Sequence, residues 1–203
     1  MASPVSSLSC RIAPPEEYPT ITKVAGDWNG WVFTRLLFIR NLGFESDVVW
    51  DRKGKRIDWF PNLVASMLIC GDVPIYFDES EDKDETKNFD QAYVCQDANA
   101  RIQGIVFTQT YNSTLEIVLL ATNPKNFPSS HPKESGEKEA ENVGRTLVTH
   151  LIQECQKDHK YEKIVLSPKK SSEPFYEKMG FEKKGEEMVL TINKVAALQG
   201  KAA

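Results

Sequence analysis

Apolar and polar positions along the 203 residues form a clearer pattern in the second half of the chain than in the first. Ala92–Asp97 (AYVCQD), Ile102–Tyr111 (IQGIVFTQTY) and Leu115–Thr122 (LEIVLLAT) are short runs rich in apolar, β-branched and aromatic residues. The stretch ANAR separates the first two, Asn112-Ser113 the next two, and Asn123-Pro124 stops the third. These signals predict three meandering strands. The third is apolar on both faces, which predicts a central place in its sheet. Val143, Leu147, Val148, Leu151, Ile152 and Cys155 then recur at helical spacing within Asn142–His159, the pattern of an amphipathic helix laid on a sheet. A short apolar strand follows at Lys163–Pro168, parallel to a neighbour if the helix is a crossover. A short helix in SEPFYEKMGF (Ser172–Phe181) and a last strand at Glu186–Ile192 complete the order. The predicted class is α/β with a mixed sheet.

The earlier part is harder to parse. Trp31–Phe44 has helix-like apolar spacing and ends near a glycine. Val48–Phe60 fits either a hairpin around Lys53-Gly54 or a loop feeding a helix at Asn62–Ile69, and Ile75 can open a strand. Lys125–Glu141 carries Pro, Ser, Gly and charge without periodicity. It predicts a loop, long enough for a compact domain to be functional or mobile.

Composition narrows the function classes. Apolar residues at 40% and charged residues at 27% describe an ordinary soluble globular protein. A net charge of -4 without a Lys/Arg run argues against nucleic-acid binding, which needs a basic stripe. The acidic run DESEDKDE from Asp78 reads as a solvated loop or as a local field attracting cationic amines. Cys10, Cys70, Cys95 and Cys155 are scattered and share no ligand spacing with His131, His150 or His159, so no metal site is expected. The N-terminus has no secretory pattern and no apolar run is long enough for a bilayer. The expected setting is cytoplasmic or nuclear, with reduced thiols and no membrane.

Three features can carry chemistry. NVGRT opens the long helix, where amides without intrahelical partners favour an anion. Gly144 allows close backbone approach and Arg145 adds a cation, which suits a phosphate; a glycine there can equally be a packing accommodation. Glu116 stands among Leu115, Ile117 and Val118. It is either a solvated strand-start residue or a partly desolvated carboxylate able to accept protons, directly or through water. Tyr176, between Phe175 and Phe181, is either a core aromatic or a proton donor. Repeats and Walker, Rossmann or G-x-S-x-G motifs are absent from the sequence.

In order of elements and in motifs, Ala92–Ile192 resembles the GNAT (Gcn5-related N-acetyltransferase) superfamily. FYEKMGF matches the superfamily's F/L-Y-E-K-x-G-F helix at nearly every position. The turn that cradles pyrophosphate, Q/R-x-x-G-x-G/A, aligns with Glu139 at its first position, Asn142 at the first glycine and Gly144 at the last. Asn tolerates the left-handed conformation that the first glycine supplies. The resemblance implies the GNAT fold, a mixed central sheet flanked by helices with splayed parallel strands forming the CoA cleft. It divides the chain into 1–90 (substrate-side helices and loops), 91–193 (acetyl-CoA-binding core) and 194–203 (a frayed tail).

The same resemblance implies an acetyl-CoA-dependent N-acetyltransferase. Leu120, Ala121 and Thr122 would meet pantetheine, and Asn142, Val143, Gly144, Arg145 and Thr146 the pyrophosphate. One strand amide would polarise the thioester carbonyl. Glu116 matches the general base of the histone acetyltransferase branch, and Tyr176 the tyrosine that protonates the departing thiolate, two groups whose pKa values are ordinarily not far apart. The acceptor would be a primary amine on a protein, peptide, polyamine or small molecule, handled by a monomer or homodimer. The alternative is a GNAT-fold CoA-binding or interaction module with weak or no catalysis, which Glu139 and Asn142 in the turn favour.

Overall fold

The computed structural model describes residues 7–41, 48–50, 56–58, 89–124 and 142–192. The elements in chain order are β1 (Ser9–Ala13), α1 (Tyr18–Asn41), β2 (Val48–Trp50), β3 (Arg56–Asp58), β4 (Gln91–Gln96), β5 (Ile102–Tyr111) and β6 (Thr114–Thr122). They continue with α2 (Val143–Lys157), β7 (Lys163–Leu166), α3 (Glu173–Lys178), β8 (Glu182–Lys184) and β9 (Glu187–Thr191). Seven strands form one mixed sheet in the order β1-β4-β5-β6-β7-β9-β8. Among the described strands only β6 and β7 pair in parallel, as expected when α2 makes the crossover between them. LEIVLLAT is the middle strand, as its two-sided apolarity predicts.

Each face of the sheet has its own core. Leu147, Val148, Leu151, Ile152 and Cys155 of α2 pack with Tyr93, Cys95, Val106, Leu115, Ile117, Ile164, Leu166, Met188 and Leu190. Ile21, Ala25 and Trp28 of α1 pack on Ala92, Val94, Ile105, Phe107, Leu119 and Ala121. Strand β6 contributes to both cores through an irregularity. Thr108 opposes Ile117 but Phe107 opposes Leu119, so Val118 is an extra residue in the β5–β6 ladder. The bulge reverses the alternation: Leu115 and Ile117 face α2, whereas Leu119 and Ala121 face α1.

The helix expected at Trp31–Phe44 begins earlier, at Tyr18, and is described to Asn41. Gly26 and Gly30 fall within the helix. They lie on the exposed side with nothing near the place of a Cβ, while Ile21, Ala25 and Trp28 supply the buried stripe. Of the two readings of Val48–Phe60, the hairpin is the one formed: Val48 pairs with Asp58 and Trp50 with Arg56. Strands β1 and β8 were not expected. The second is EKK, exposed throughout, a charged edge strand held by β9. The expected helix at 62–69, strand at Ile75, acidic run from Asp78, loop 125–141 and tail 194–203 lie outside the described residues. Among the described residues no helix is long and apolar enough to cross a membrane.

Candidate active site

The parallel ladder ends at Ile117 opposite Leu166, beside the bulge at Val118. Strand β7 stops there, while β6 continues to Thr122 and, among the described residues, pairs with β5 alone. The sheet therefore has an opening along one side of Val118–Thr122. The backbone orientation within it can be worked out. The Asn123 N–H donates to the Gln103 carbonyl at 2.8 Å, so Asn123 turns its polar groups toward β5. Antiparallel alternation then turns Ala121 the same way, and the N–H and C=O of Leu120 and Thr122 the opposite way, into the opening. Backbone groups there need a partner other than β7.

The first turn of α2 stands over the same place. Asn142 adopts φ 61°, ψ 21°, the left-handed conformation, and makes no side-chain cap. Its carbonyl accepts the N–H of Thr146 at 2.9 Å and the hydroxyl at 3.1 Å. The amides of Val143, Gly144 and Arg145 precede the first helical hydrogen bond and have no intrahelical partner. A Cβ on Gly144 would sit 3.7 Å from Phe175 Cζ and 3.8 Å from both Leu120 Cδ2 and Thr122 Cγ2. Helix start, open strand and α3 thus converge on one glycine, and the exposed Arg145 adds positive charge at its rim.

Sequence reasoning missed the residue that permits this approach. A Cβ on Gly104 of β5 would meet Val143 Cγ1 at 2.6 Å and Leu147 Cδ1 at 2.7 Å. Only a bare backbone lets α2 come so close. The available signal was a glycine inside a strand pattern, which often marks close approach of another element.

Helix α3 ends in a Schellman arrangement. Phe181 N–H donates to the Tyr176 carbonyl at 3.1 Å, Gly180 N–H to the Glu177 carbonyl at 3.0 Å, and Gly180 has φ 94°. The accompanying apolar contact joins Tyr176 and Phe181, with ring centroids 5.6 Å apart. Phe175 packs edge-on to Tyr176 at 4.9 Å. Tyr176 is buried, at 7% exposure, and burial pushes its hydroxyl up to about 12. Among the described residues no fully enclosed side-chain oxygen or nitrogen lacks a partner.

Glu116 is half-buried on β6 before the bulge, opposite Gln109 on one side and Val165 on the other. Its neighbours Leu115 and Ile117 belong to the α2-side core with Tyr176, so Glu116 projects from the other face. The Tyr111 hydroxyl is raised by burial and then by the negative charges of Glu116 and Glu187. Both carboxylates therefore lie near enough to the exposed Tyr111 phenol to disfavour its anion.

A buried polar chain braces the end of β6. Asp97 accepts from Arg101 Nε (2.9 Å), Arg101 Nη2 (2.8 Å) and Gln103 Nε2 (3.0 Å), as well as from the backbone of Asn99 and Arg101. Gln103 Oε1 accepts in turn from Asn123 Nδ2 at 3.1 Å. Burial alone would push the Asp97 carboxyl up, but these hydrogen bonds and the Arg101 charge hold it below the usual carboxylate range. The chain of contacts fixes Asn123, the residue that follows Thr122. Among the described residues, no group of three or more His, Cys, Asp or Glu gathers as metal ligands.

The family model for the acetyltransferase (GNAT) domain matches residues 135–191, which include α2, β7, α3, β8 and β9. With the opened sheet, this match identifies residues 135–191 as similar to a GNAT-type acetyltransferase domain. Mutant forms of the spermidine/spermine N-acetyltransferase SpeG from Vibrio cholerae share its fold, with a TM-score of 0.51 and 14% identity over 95% of this chain and 98% of that one. A GNAT family acetyltransferase from Brucella melitensis in complex with acetyl-CoA aligns over 92% of this chain and 88% of its own, with a TM-score of 0.44 and 12% identity. Among curated proteins no sequence match was found.

Proposed function

We propose that the protein transfers an acetyl group from acetyl-CoA to a primary amine. The observation that carries this reading is the convergence of the Leu120–Thr122 opening, the unpaired amides at the start of α2 and Phe175-Tyr176 around Gly144. The donor set fits the ligand. Amides of Val143, Gly144 and Arg145, with the Thr146 turn, suit a pyrophosphate. Leu120 and Thr122 present a strand edge to the amide groups of pantetheine, while Ala121 keeps its backbone on β5. A thioester bound there supplies an activated acyl carbon.

The residues then divide the proton work. An amine with a pKa near 10 must lose a proton before it attacks, and Glu116 accepts that proton through water. A strand amide stabilises the oxyanion as the nitrogen–carbon bond forms and the carbon–sulfur bond breaks. Tyr176 faces the departing sulfur. With its hydroxyl at about 12 it is fully protonated at neutral pH. It is also a weaker acid than a thiol near 8.5, so its proton is shared in a hydrogen bond to the developing thiolate and given up only as water re-enters.

The acceptor we favour is a cationic amine. The carboxylates of Glu116 and Glu187 close to Tyr111 support it, and so does the fold shared with an enzyme named for spermidine and spermine. Calorimetry with acetyl-CoA, followed by a free-thiol assay across polyamines, lysine peptides and small amines, tests both parts. Binding with amine-dependent thiol release is expected; no binding at sub-millimolar acetyl-CoA would overturn the reading.

A further inference from the structure

The candidate site leaves one pair of reactive groups unused. Cys10 of β1 and Cys95 of β4 stand directly opposite in the antiparallel ladder. Residues so paired have Cα atoms about 4.5–5.5 Å apart, inside the 4.4–6.8 Å range that a disulfide spans. Both thiols are free, and they lie close enough to shift each other's ionisation. Cys95 is fully enclosed in the α2-side core, whereas Cys10 is half-buried at its edge, on a terminal strand of the sheet.

We propose that Cys10 and Cys95 form an oxidisable dithiol, a modification site that reacts with small-molecule disulfides such as oxidised glutathione and ends as a cross-strand bond between β1 and β4. The exposed partner reacts first. The Cys10 thiol loses its proton to solvent and attacks one sulfur of the small disulfide, whose S–S bond breaks to release one thiolate. The Cys95 thiol then loses its proton and attacks the Cys10 sulfur, expelling the second thiolate. Two protein thiols are oxidised and one small disulfide is reduced to two thiols. Interaction with Cys95 lowers the Cys10 pKa, against the opposing effect of burial, while Cys95 itself is raised. This asymmetry matches an attacking and a resolving thiol. Cys155 lies in the same core but on α2, and burial pushes its thiol up to about 12, which leaves it inert. The bond would tie down the strand that leads through Pro15–Glu17 into α1.

The test is to incubate the folded, reduced protein with oxidised glutathione, block free thiols with an alkylating reagent and map peptides without reduction. The expected product is a peptide pair joined through Cys10 and Cys95, in a chain two hydrogens lighter with no retained glutathione. Cys95→Ala should instead keep glutathione on Cys10, and Cys10→Ser should leave Cys95 unmodified. Recovery of wild-type Cys10 and Cys95 both alkylated overturns the proposal. A lasting glutathione adduct on wild-type Cys10, or a bond from Cys10 to any other cysteine, does so as well. The wild-type map decides the matter even if a variant fails to fold.

Discussion

Val143 Cγ1 would lie only 2.6 Å from a Cβ on Gly104, so the first turn of α2 rests on a strand position that has no side chain. Gly104→Ala forces Val143 and Leu147 to move and lifts the helix start away from Thr122, the residue paired with Gly104. Overpacking of this kind costs about 1–3 kcal/mol. Gly144→Ala is the contrast. Its Cβ meets only ordinary contacts at 3.7–3.8 Å, and alanine gains up to about 1 kcal/mol over glycine in a helix. Denaturant titration and acetyl-CoA calorimetry should show both quantities falling for Gly104→Ala. For Gly144→Ala affinity should hold and stability should hold or rise. Equal behaviour of the two variants would remove Gly104 from the positioning of the site.

Tyr176→Phe removes one hydroxyl and keeps the ring that packs on Phe175 and Phe181. Stability and acetyl-CoA affinity should stay near wild type while kcat falls about 10²-fold, the lower end for a lost proton donor. Because burial raises the hydroxyl to about 12, wild-type turnover should show no loss from its ionisation below about pH 10, the unperturbed phenol value. Unchanged kcat in Tyr176→Phe would return the residue to core packing.

Glu116→Gln keeps the shape of the side chain and removes the proton acceptor. Turnover should fall about 10²-fold or more at neutral pH and recover in part as pH rises toward the amine pKa, where free amine accumulates. The check is a pH–rate profile at saturating acetyl-CoA. A variant with the wild-type rate at every pH would take Glu116 out of the mechanism.

How far the sequence disclosed this site depended on the range of the interactions involved. Local signals were legible: the apolar stripe of α2, the two-sided apolarity of β6, the glycine ending α3 and an asparagine able to hold φ 61° at position 142. The opening itself was legible only through resemblance. Its boundary is a register slip at Val118 and the end of pairing at Leu166, and no residue type at either place announces it. Gly104 and the contacts among Asp97, Gln103 and Asn123 depend on residues brought together by the sheet, where a sequence window sees only an isolated glycine and three polar side chains. α1 was half missed, although Ile21, Ala25 and Trp28 carry its buried stripe. β8 was missed because a charged edge strand owes its form to its partner and not to its own pattern.

The Asp97–Gln103–Asn123 chain yields a prediction in which stability and ligand affinity move together. Asp97 is buried, at 5% exposure, and its oxygens accept from Arg101, Gln103 and the turn backbone. Asp97→Asn removes the charge and turns one acceptor into a donor facing Arg101 or Gln103, at a cost of about 1.5–3 kcal/mol for hydrogen bonds to a charged group. Its effect on pH dependence has a definite sign. The folded carboxyl is held below its ordinary value, so its stabilisation is present above the unfolded pKa of about 3.9 and lost as pH falls through the lower folded value. Wild-type stability should therefore decline below about pH 4, and Asp97→Asn should show a smaller decline from a lower start. Since Gln103 holds Asn123 at the end of β6, the variant should also bind acetyl-CoA more weakly at neutral pH. Denaturation across pH and calorimetry on the same preparations measure both. A destabilised variant with unchanged affinity would confine the polar chain to folding and separate it from the site.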